Sequence, residues 1–458
     1  MKNIPIVIDF VVNNDLCIGC GLCVYKCPSK ALDMRFNELG FLVPELVDDC
    51  DLDGACITVC PFNINPLAEI KSENELANNF LNETENSHPK IGKYKNIYAG
   101  YSEEHRLTSS SGGIATFVLT DLLQRGIVNH VFSVKKGTEG GVHYEYAISN
   151  NKQELLKGSK TRYFPVTLAT VFSNLDKLDG KVAIVGVACF IKAIRLAQFS
   201  DPLLKEKIPF LVGIICGGVK SSFFTDYLSN KSGVENNAYT DPNYRIKNLD
   251  SSAGDYSFGC LNTKTNEQES VKMRSVGDMW GTGLFKANAC DFCDDVTTEL
   301  ADISVGDAWL KPYVKDGRGD NVIVCRSNLA ETIIKEGIRD KKVHLEELSV
   351  ERFLLSQKGS FNHRHSGLPY RIKRAKKMGR LVPSKRYDTD TSTFYFKIVQ
   401  YFRMNTRRKS LELWKKNSDS IIFDKKIKRS LSYLKKATRI NHFMISLQNK
   451  INQLNKFN

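Results

Sequence analysis

The sequence has no run of about 18 consecutive apolar residues, so it predicts no membrane-spanning helix. Residues 1–12 are apolar, but Pro5 and Asp9 interrupt them and no small-residue cleavage site follows, so we expect no signal peptide. With 42% hydrophobic and 25% charged residues, the composition also argues against a disordered, collagenous or coiled-coil protein. These absences predict a folded cytoplasmic protein with a substantial core.

Cysteine, in contrast, is abundant, with 13 residues in the chain. Disulfides would not persist in the cytoplasm, so metal binding is the first interpretation. Seven cysteines lie between Cys17 and Cys60, which makes the head of the chain dense in candidate ligands. The others are spread over the middle of the chain: Cys189, Cys216, Cys260, Cys290, Cys293 and Cys325.

Positive charge is concentrated at the end of the chain. Residues 371–458 hold 24 Lys and Arg against 5 Asp and Glu, whereas the whole chain has a net charge of +14, so the remainder is acidic. Such shifts in composition divide the chain into a head (1–70), a polar linker (71–95), a body (96–370) and a basic helical tail (371–458). Within the linker, residues 71–88 predict either a flexible connection or an exposed short helix.

The body alternates apolar, β-branched runs with segments of helical periodicity. Val182–Val187 and Phe210–Ile215 predict buried strands, while Ile114–Leu123 and Phe190–Phe199 predict helices. Strands interleaved with helices are typical of an α/β domain with a mostly buried sheet.

The head contains two cysteine runs with cluster-binding spacing. The run from Cys17 to Pro28 reads C-x2-C-x2-C-x3-C-P, as in bacterial two-cluster ferredoxins, where the cysteine before proline ligates the other cluster. The run from Cys50 to Pro61 has the same spacing, with Asp53 at the second ligand position. The first cluster is therefore assigned to Cys17, Cys20, Cys23 and Cys60, and the second to Cys27, Cys50, Asp53 and Cys56.

Asp53 distinguishes the second set of ligands from the first. A carboxylate is a harder and weaker ligand for iron than a thiolate, so we expect a three-iron centre there, or a four-iron cluster with an Asp or water ligand. A zinc module, or a degraded ferredoxin kept only as a fold, is the alternative, but eight candidate ligands at cubane spacing favour clusters. Two clusters imply one-electron transfer.

Two short patterns in the body suit an anionic cofactor. Residues 110–113 precede a predicted helix whose N-terminus could hold a phosphate or a flavin carbonyl, although such turns also serve as ordinary N-caps. Residues 158–160 supply a flexible turn, a hydroxyl and a cation, or form a plain surface loop. The candidate cofactor contacts are Ser110, Ser111, Gly112, Gly113, Gly158, Ser159 and Lys160.

Four further cysteines are placed to meet at one site. Cys189 and Cys216 each follow a strand-like run, and Cys290 and Cys293 form a C-x2-C pair just before another one. Loops at strand ends gather site residues in α/β folds, so these thiolates could hold a third cluster. Alternatively, Cys189 and Cys216 are small buried apolar residues.

Taken together, these motifs resemble the family of beta subunits of coenzyme F-420 hydrogenases and dehydrogenases over roughly residues 15–330. The resemblance is carried by residues 110–113 and 158–160, by Val-Gly-Val-Ala-Cys ending at Cys189, by Cys216 and by the run from Cys290 to Trp309. It implies an α+β ferredoxin-like head, an α/β flavoprotein body with a mixed sheet, and an FAD held in the body. It also implies a 4Fe-4S cluster on Cys189, Cys216, Cys290 and Cys293.

The chain departs from the family pattern at three places. Ala188 precedes Cys189 where the family often has proline, and Gly217 follows Cys216 where it has histidine. The basic Phe-Arg-Asp-Lys stretch expected near 248–260 is replaced by Asn248–Phe258, which argues against binding of the polyanionic deazaflavin coenzyme. The substrate is therefore unidentified, and His143 and Asp307 are conceivable proton-transfer residues without support, so the catalytic residues are unknown.

The resemblance implies an iron–sulfur flavoprotein oxidoreductase that shuttles electrons between a redox partner such as ferredoxin, its own clusters and an FAD acting on an unidentified substrate. Similar members of the family often accompany surface-polysaccharide biosynthesis, which implies a sugar-linked substrate. The alternatives are an electron-transfer subunit without its own substrate, and a non-catalytic iron–sulfur scaffold recruited by its tail.

The tail combines clusters of lysine and arginine with aromatic residues at helical spacing, around Phe394, Trp414 and Phe423. This pattern predicts amphipathic helices that bind an anionic membrane surface or an acidic partner, or else a simple solvated face. Nucleic acid is disfavoured because nothing else in the sequence points to it. We expect a cytoplasmic protein, peripheral at the inner membrane face, with a separately mobile tail.

Overall fold

The computed structural model describes residues 3–67, 69–138, 142–387 and 389–454. Across these ranges, no helix is both long and apolar enough to cross a bilayer. The strands are β1 (Leu32–Phe36), β2 (Leu42–Leu46), β3 (Asn86–His88), β4 (Gly92–Tyr94), β5 (Asn96–Ser102), β6 (His130–Lys136), β7 (Tyr144–Ser149), β8 (Val182–Val187), β9 (Phe210–Ile214), β10 (Tyr239–Lys247), β11 (Tyr256–Asn262), β12 (Gln268–Lys272), β13 (Ile303–Asp307), β14 (Asn321–Cys325) and β15 (Val343–Glu347). The helices are α1 (Leu22–Tyr25), α2 (Ala55–Thr58), α3 (Glu73–Phe80), α4 (Ile114–Gln124), α5 (Lys152–Leu156), α6 (Ala169–Phe172), α7 (Ala188–Ser200), α8 (Pro202–Lys207), α9 (Phe223–Lys231), α10 (Met273–Val276), α11 (Asn328–Arg339), α12 (Val350–Ser356), α13 (Lys358–Phe361), α14 (Leu368–Lys377), α15 (Phe394–Asn417) and α16 (Ser420–Leu454).

The head is built from two one-turn helices, α1 and α2, and the antiparallel pair β1–β2. Each helix follows a glycine with positive φ, Gly21 at +80° and Gly54 at +75°, a conformation that costs glycine nothing. The core of the head is continuous with that of the body, because Leu22 and Leu32 share one apolar cluster with Leu168. The head therefore packs directly on the body.

An eight-stranded mixed sheet forms the centre of the body, in the order β15-β5-β14-β13-β9-β8-β6-β7. Strands β6, β8, β9 and β13 run parallel, while the pairs at both edges are antiparallel. This sheet confirms the mixed sheet that the family resemblance implies for the body. The parallel strands are apolar runs such as Val182–Val187, as expected where helices cover both faces. Their carboxyl ends lie at one edge, where site residues can meet.

Of the two alternatives predicted for residues 71–88, the structure has the short helix, but one face of this helix is buried rather than exposed. Helix α3 begins with a capping box between Ser72 and Glu75, and its inner face buries Leu76. Buried Glu73 forms an ion pair with Lys192 of α7, with 2.8 Å between Oε1 and Nζ. The composition looked like that of a linker because one face of α3 is solvated and the buried charge has a partner outside the segment.

The tail consists of α14, α15 and α16, and α14 continues across the predicted boundary at residue 370. Arg407 of α15 donates from Nε to Asp291 Oδ2 (2.8 Å) and from Nη2 to Asn288 Oδ1 (2.6 Å). Trp414 is fully buried against Phe285. A buried guanidinium cannot leave its carboxylate without a large cost, so the expected separate mobility is wrong for α15.

Candidate functional site

The first set of head cysteines is gathered in one buried place. Burial raises the pKa of the Cys23 thiol well above its usual value, and the neighbouring thiols of Cys20, Cys17 and Cys60 raise it further. The pKa of the Cys60 thiol is raised well above its usual value for the same reasons, with burial as the largest cause. Thiols packed together in this way need a cationic group to become thiolates, and cluster iron supplies that charge. The first predicted ligand set fits a cluster.

The second set lies at the outer edge of the head. The pKa of the Cys56 thiol is raised by burial and then by Cys27, Cys50 and Asp53, which places these four residues together. Cys50 is half-buried, and the side chain of Asp53 is exposed. Asp53 Oδ1 accepts a hydrogen bond from the Ala55 N–H (3.1 Å), so the carboxylate also caps the start of α2.

The third set meets at the carboxyl ends of β8 and β9. Cys189 lies in the first turn of α7, just after β8, and Cys216 follows β9. The pKa of the Cys189 thiol is raised well above its usual value by burial, then by Cys290, Cys293 and Cys216. Backbone N–H groups donate to two of these sulfurs, from Gly218 to Cys216 and from Val219 to Cys290, both at 3.2 Å. The structure thus brings the four predicted residues together.

None of the Cys, His, Asp and Glu side chains in the described ranges forms a group of three that could hold a single metal ion. An iron–sulfur cubane has a different requirement, since each thiolate binds its own iron at a separate corner. The two remaining cysteines lie inside strands: Cys260 contacts Ser229 and Ser232, and Cys325 is fully buried in β14.

The first and third sets are neighbours. Cys20 is among the groups that raise the pKa of the Cys189 thiol, after burial and the three other cysteines of its own set. The Leu168 N–H donates to the Cys20 carbonyl (2.9 Å), which fastens this ligand to the body. A Cβ at Gly21 would overlap Thr167 and come within 2.9 Å of the Ala169 nitrogen. Only glycine permits this close approach.

The two segments predicted to contact a cofactor also meet. The Thr161 N–H donates to Ser110 Oγ (2.9 Å), and Ser159 Oγ donates to the Thr108 carbonyl (3.3 Å). Ser111 Oγ donates to the Asp320 carbonyl (2.9 Å), so this hydroxyl stabilises the conformation of the 110–113 loop.

The start of α4 is closely packed. Gly113 has φ +81° as its N-cap residue, and the Ile114 N–H donates to Asn321 Oδ1 (3.2 Å). A Cβ at Gly112 would come within 2.8 Å of the backbone nitrogen of Asn321. The first N–H of this helix is therefore occupied by a side chain that the sequence did not indicate.

Four cations cluster beside these loops. Burial, followed by the charges of Lys160 and Arg245, lowers the pKa of Lys247 to about 7. The pKa of Lys160 is lowered by burial and then by Arg162. Arg245 Nη1 donates to both carboxylate oxygens of Asp307 (2.9 and 2.8 Å), so the charge of this carboxylate is already paired within the protein. The Nε atoms of Arg162 and Arg245 are buried and have no partner among the described residues, as expected of a place that receives an anion.

Aromatic rings connect this cation cluster to the third cysteine set. Tyr163, next to Arg162 in the chain, packs edge-on against Trp280, with 4.6 Å between ring centroids. The Trp280 ring in turn lies over Gly217, where a Cβ would come within 2.9 Å of Cε3. Together, the cations and rings suit a cofactor that is both anionic and aromatic, directly beside Cys216.

Sequence analysis missed several of these residues. Arg162 lies two positions after Lys160 and could have been found by extending that loop. Arg245 and Lys247 alternate along β10, just before residues 248–260, where the family resemblance predicts a basic stretch. Arg364, which donates from Nη1 to Cys293 Sγ (3.5 Å), gave no local signal because it comes from the short π-helix Asn362–Ser366.

Three family models match long stretches of the chain. Residues 97–173 match the amino-terminal family model of the coenzyme F420 hydrogenase/dehydrogenase beta subunits, and residues 179–351 match the carboxy-terminal model of the same proteins. Together these matches cover more than half of the chain. Residues 16–64 match a 4Fe-4S dicluster domain, so the head is an iron–sulfur domain.

Individual relatives are more distant. The chain is 25% identical over 325 residues to one of the subunits of the F(420)H(2) dehydrogenase of Methanosarcina mazei, covering 68% of this chain and 82% of that one. It is 24% identical over 368 residues to a coenzyme F420-dependent sulfite reductase of Methanocaldococcus jannaschii, covering 75% of this chain and 50% of that one. In the F420-reducing NiFe hydrogenase complex of Methanosarcina barkeri, one chain aligns with TM-score 0.49 and 18% identity, covering 66% of this chain and 99% of that one.

Proposed function

The chain belongs to the family of coenzyme F420 hydrogenase/dehydrogenase beta subunits, and on that premise we propose that it is an iron–sulfur flavoprotein oxidoreductase with an unidentified soluble substrate. The family and the dicluster domain make it an electron-transfer protein of the oxidoreductase type. The proposal adds a third cluster on Cys189, Cys216, Cys290 and Cys293, and an FAD in the body.

The observation that carries the proposal is the buried cation cluster beside Cys216. Lys160, Arg162 and Arg245 would hold the phosphates of FAD, because two of them present guanidinium N–H groups without partners among the described residues. Tyr163 and Trp280 offer apolar surface for its ring system. When bound, a flavin supplies the conversion between two-electron hydride chemistry and one-electron steps.

The arrangement of the cysteine sets supports the same function. The second set is at the exposed edge of the head, the first is buried between head and body, and the third adjoins the first through Cys20 and Cys189. This order leads from the surface, where a redox partner can dock, to the cation cluster. We take ferredoxin or another electron carrier as that partner.

The first test is anaerobic purification with quantification of iron, sulfide and flavin on one sample. We expect about eleven or twelve irons and one FAD per chain, and about four irons fewer in Cys216→Ser. Arg162→Gln should lose FAD while keeping its irons, whereas the exposed control Arg339→Gln should keep both. About seven or eight irons without flavin would contradict the proposal and leave an iron–sulfur head on an inert body.

An electron-transfer subunit without its own substrate is the second candidate, favoured by the name of the Methanosarcina mazei relative, which is itself part of a larger dehydrogenase. Substrate turnover by the isolated, flavin-loaded chain separates the two candidates. The names of both relatives make coenzyme F420 the first compound to test. The link to surface-polysaccharide biosynthesis stays a prediction from the resemblance.

A further inference from the structure

The C-terminal half of α16 carries a row of exposed apolar side chains. Tyr433, Ile440, Phe443, Leu447 and Ile451 have exposed fractions of 40, 51, 67, 41 and 43%. Their spacing of seven, three, four and four residues places them on one face of the helix, which we call the outer face. Large apolar groups in a continuous row on a folded protein mark a surface that contacts something else.

The outer face points away from the rest of the protein. Leu434 and Ala437, which lie on another side of α16, are buried in an apolar cluster with Val399 of α15. On a third side, Ile445 and Ser446 line a cavity of about 380 Å³ together with Lys358, and Lys450 lies where this cavity borders the outer face. At the start of the row, the Tyr433 ring also packs against Phe402 of α15, with 5.7 Å between ring centroids. The rest of the outer face, from Ile440 to Ile451, is left to the solvent.

Cations flank the row of apolar side chains. Lys436, Arg439 and Lys450 lie seven and four residues before and seven residues after Phe443, so they project beside it. None of the three forms an ion pair with a residue in the described ranges. Residues 420–454 contain eight Lys and Arg against one acid, Asp424, and that acid is bound to Lys231 (2.8 Å). The outer face is therefore apolar along its middle and strongly positive along its border.

We propose that α16 docks on an anionic lipid membrane through its outer face, lying in the plane of the interface. A helix with an apolar row and flanking lysines and arginines inserts the apolar side chains at the acyl boundary, while the cations bind the lipid head groups. The row from Tyr433 to Ile451 runs along one helix for about 27 Å at 1.5 Å per residue, which suits a flat surface.

Two other occupants fit less well. A second copy of the chain would bring two rows of uncompensated cations together, and like charges at such distances repel. An acidic protein would satisfy the cations, but it would have to offer an apolar groove as long as the row. An anionic membrane offers negative charge to the cations and an apolar layer along the whole row of side chains. This proposal does not depend on the proposed redox function.

The test uses the full chain and vesicles of phosphatidylcholine, with or without one quarter phosphatidylglycerol. We expect sedimentation with the anionic vesicles only. Replacing Lys436, Arg439 and Lys450 by Gln together should weaken binding roughly a hundredfold at low salt, since each cation near the surface contributes about 1 kcal/mol. The matched control replaces by Gln three exposed lysines outside the tail that form no ion pair in the described ranges, Lys90, Lys181 and Lys341, and should bind like the unmodified chain.

A second pair of variants tests the apolar contribution. Phe443→Ser with Leu447→Ser should weaken vesicle binding at least about tenfold, whereas Leu203→Ser, at a site that is 74% exposed on α8, should not. Phe443→Trp should show a blue-shifted emission on adding anionic vesicles. No sedimentation with anionic vesicles, or equal sedimentation with neutral ones, would overturn the proposal. Binding that is unchanged by the serine pair and equally strong to soluble polyglutamate would instead assign an acidic partner.

Discussion

The two cysteine runs of the head share their spacing but not their surroundings. Cys20 is buried and fastened to the body through its carbonyl, and the neighbouring Gly21 has no room for a Cβ. At the equivalent positions of the second run, Asp53 is exposed and Gly54 meets only the tip of Ile6, at 3.4 Å from a built Cβ. The cysteine spacing thus predicts that each run binds a cluster. The residues packed around each run decide whether the iron at its second ligand position can accept a ligand weaker than a thiolate.

The largest expected difference between the runs comes from removing the second ligand of each. Cys20→Ser should cost about four irons per chain, because a buried cluster that loses a thiolate has no solvent or carboxylate to replace it. Asp53→Ser should cost at most about one iron, since water can take the exposed corner. Iron and sulfide quantification after anaerobic purification checks both, and equal losses in the two variants would contradict the difference in burial.

The two glycines offer a smaller but cleaner comparison. Gly21→Ala and Gly54→Ala both place a side chain at positive φ, which costs roughly 1–2 kcal/mol. Only Gly21→Ala also forces overlap with Thr167 and Ala169, which should add about 1–3 kcal/mol of destabilisation. Denaturant unfolding of the anaerobic, cluster-loaded chains measures the two free energies. If both variants lose the same stability, the tight packing of head against body at Gly21 is refuted.

The smallest change should follow from completing the second set. Asp53→Cys supplies the missing thiolate, so we expect a gain of up to about one iron per chain and the disappearance of any three-iron signal in electron paramagnetic resonance spectra. Asp53→Asn, which has the same size but no charge, serves as the control and should show no gain. A spectrum of two all-cysteine cubanes in the unmodified chain would leave Asp53 without a role as ligand.

Sequence alone indicated the cysteine sets because cluster ligands follow fixed local spacing, and Cys189 and Cys216 were indicated by their position after strands. It also named the loops at 110–113 and 158–160 as candidate contacts of a cofactor, and the Thr161–Ser110 hydrogen bond joins these two loops. Asn321 and Arg364 could not be foreseen, because they reach their partners across more than 70 residues of chain.

The linker shows a second limit of sequence patterns. The polar composition of residues 71–95 suggested solvent, yet Glu73 is buried because Lys192, 119 residues later, neutralises it. A charge that is paired at long range has the same local pattern as a solvated one. Burial of ionised residues is therefore the part of this fold that composition predicts least well.

The contact between Arg407 and Asp291 bears on how the chain is assembled. Asp291 lies between Cys290 and Cys293, and its partner is encoded 116 residues later, in α15. While the ribosome is still adding the final helices, the loop that presents these two cysteines lacks the guanidinium that holds it. The head, in contrast, carries all its own ligands within the first 60 residues. Maturation of the protein is thus expected to run from the amino terminus, with the third cysteine set held in place only once α15 has been synthesised.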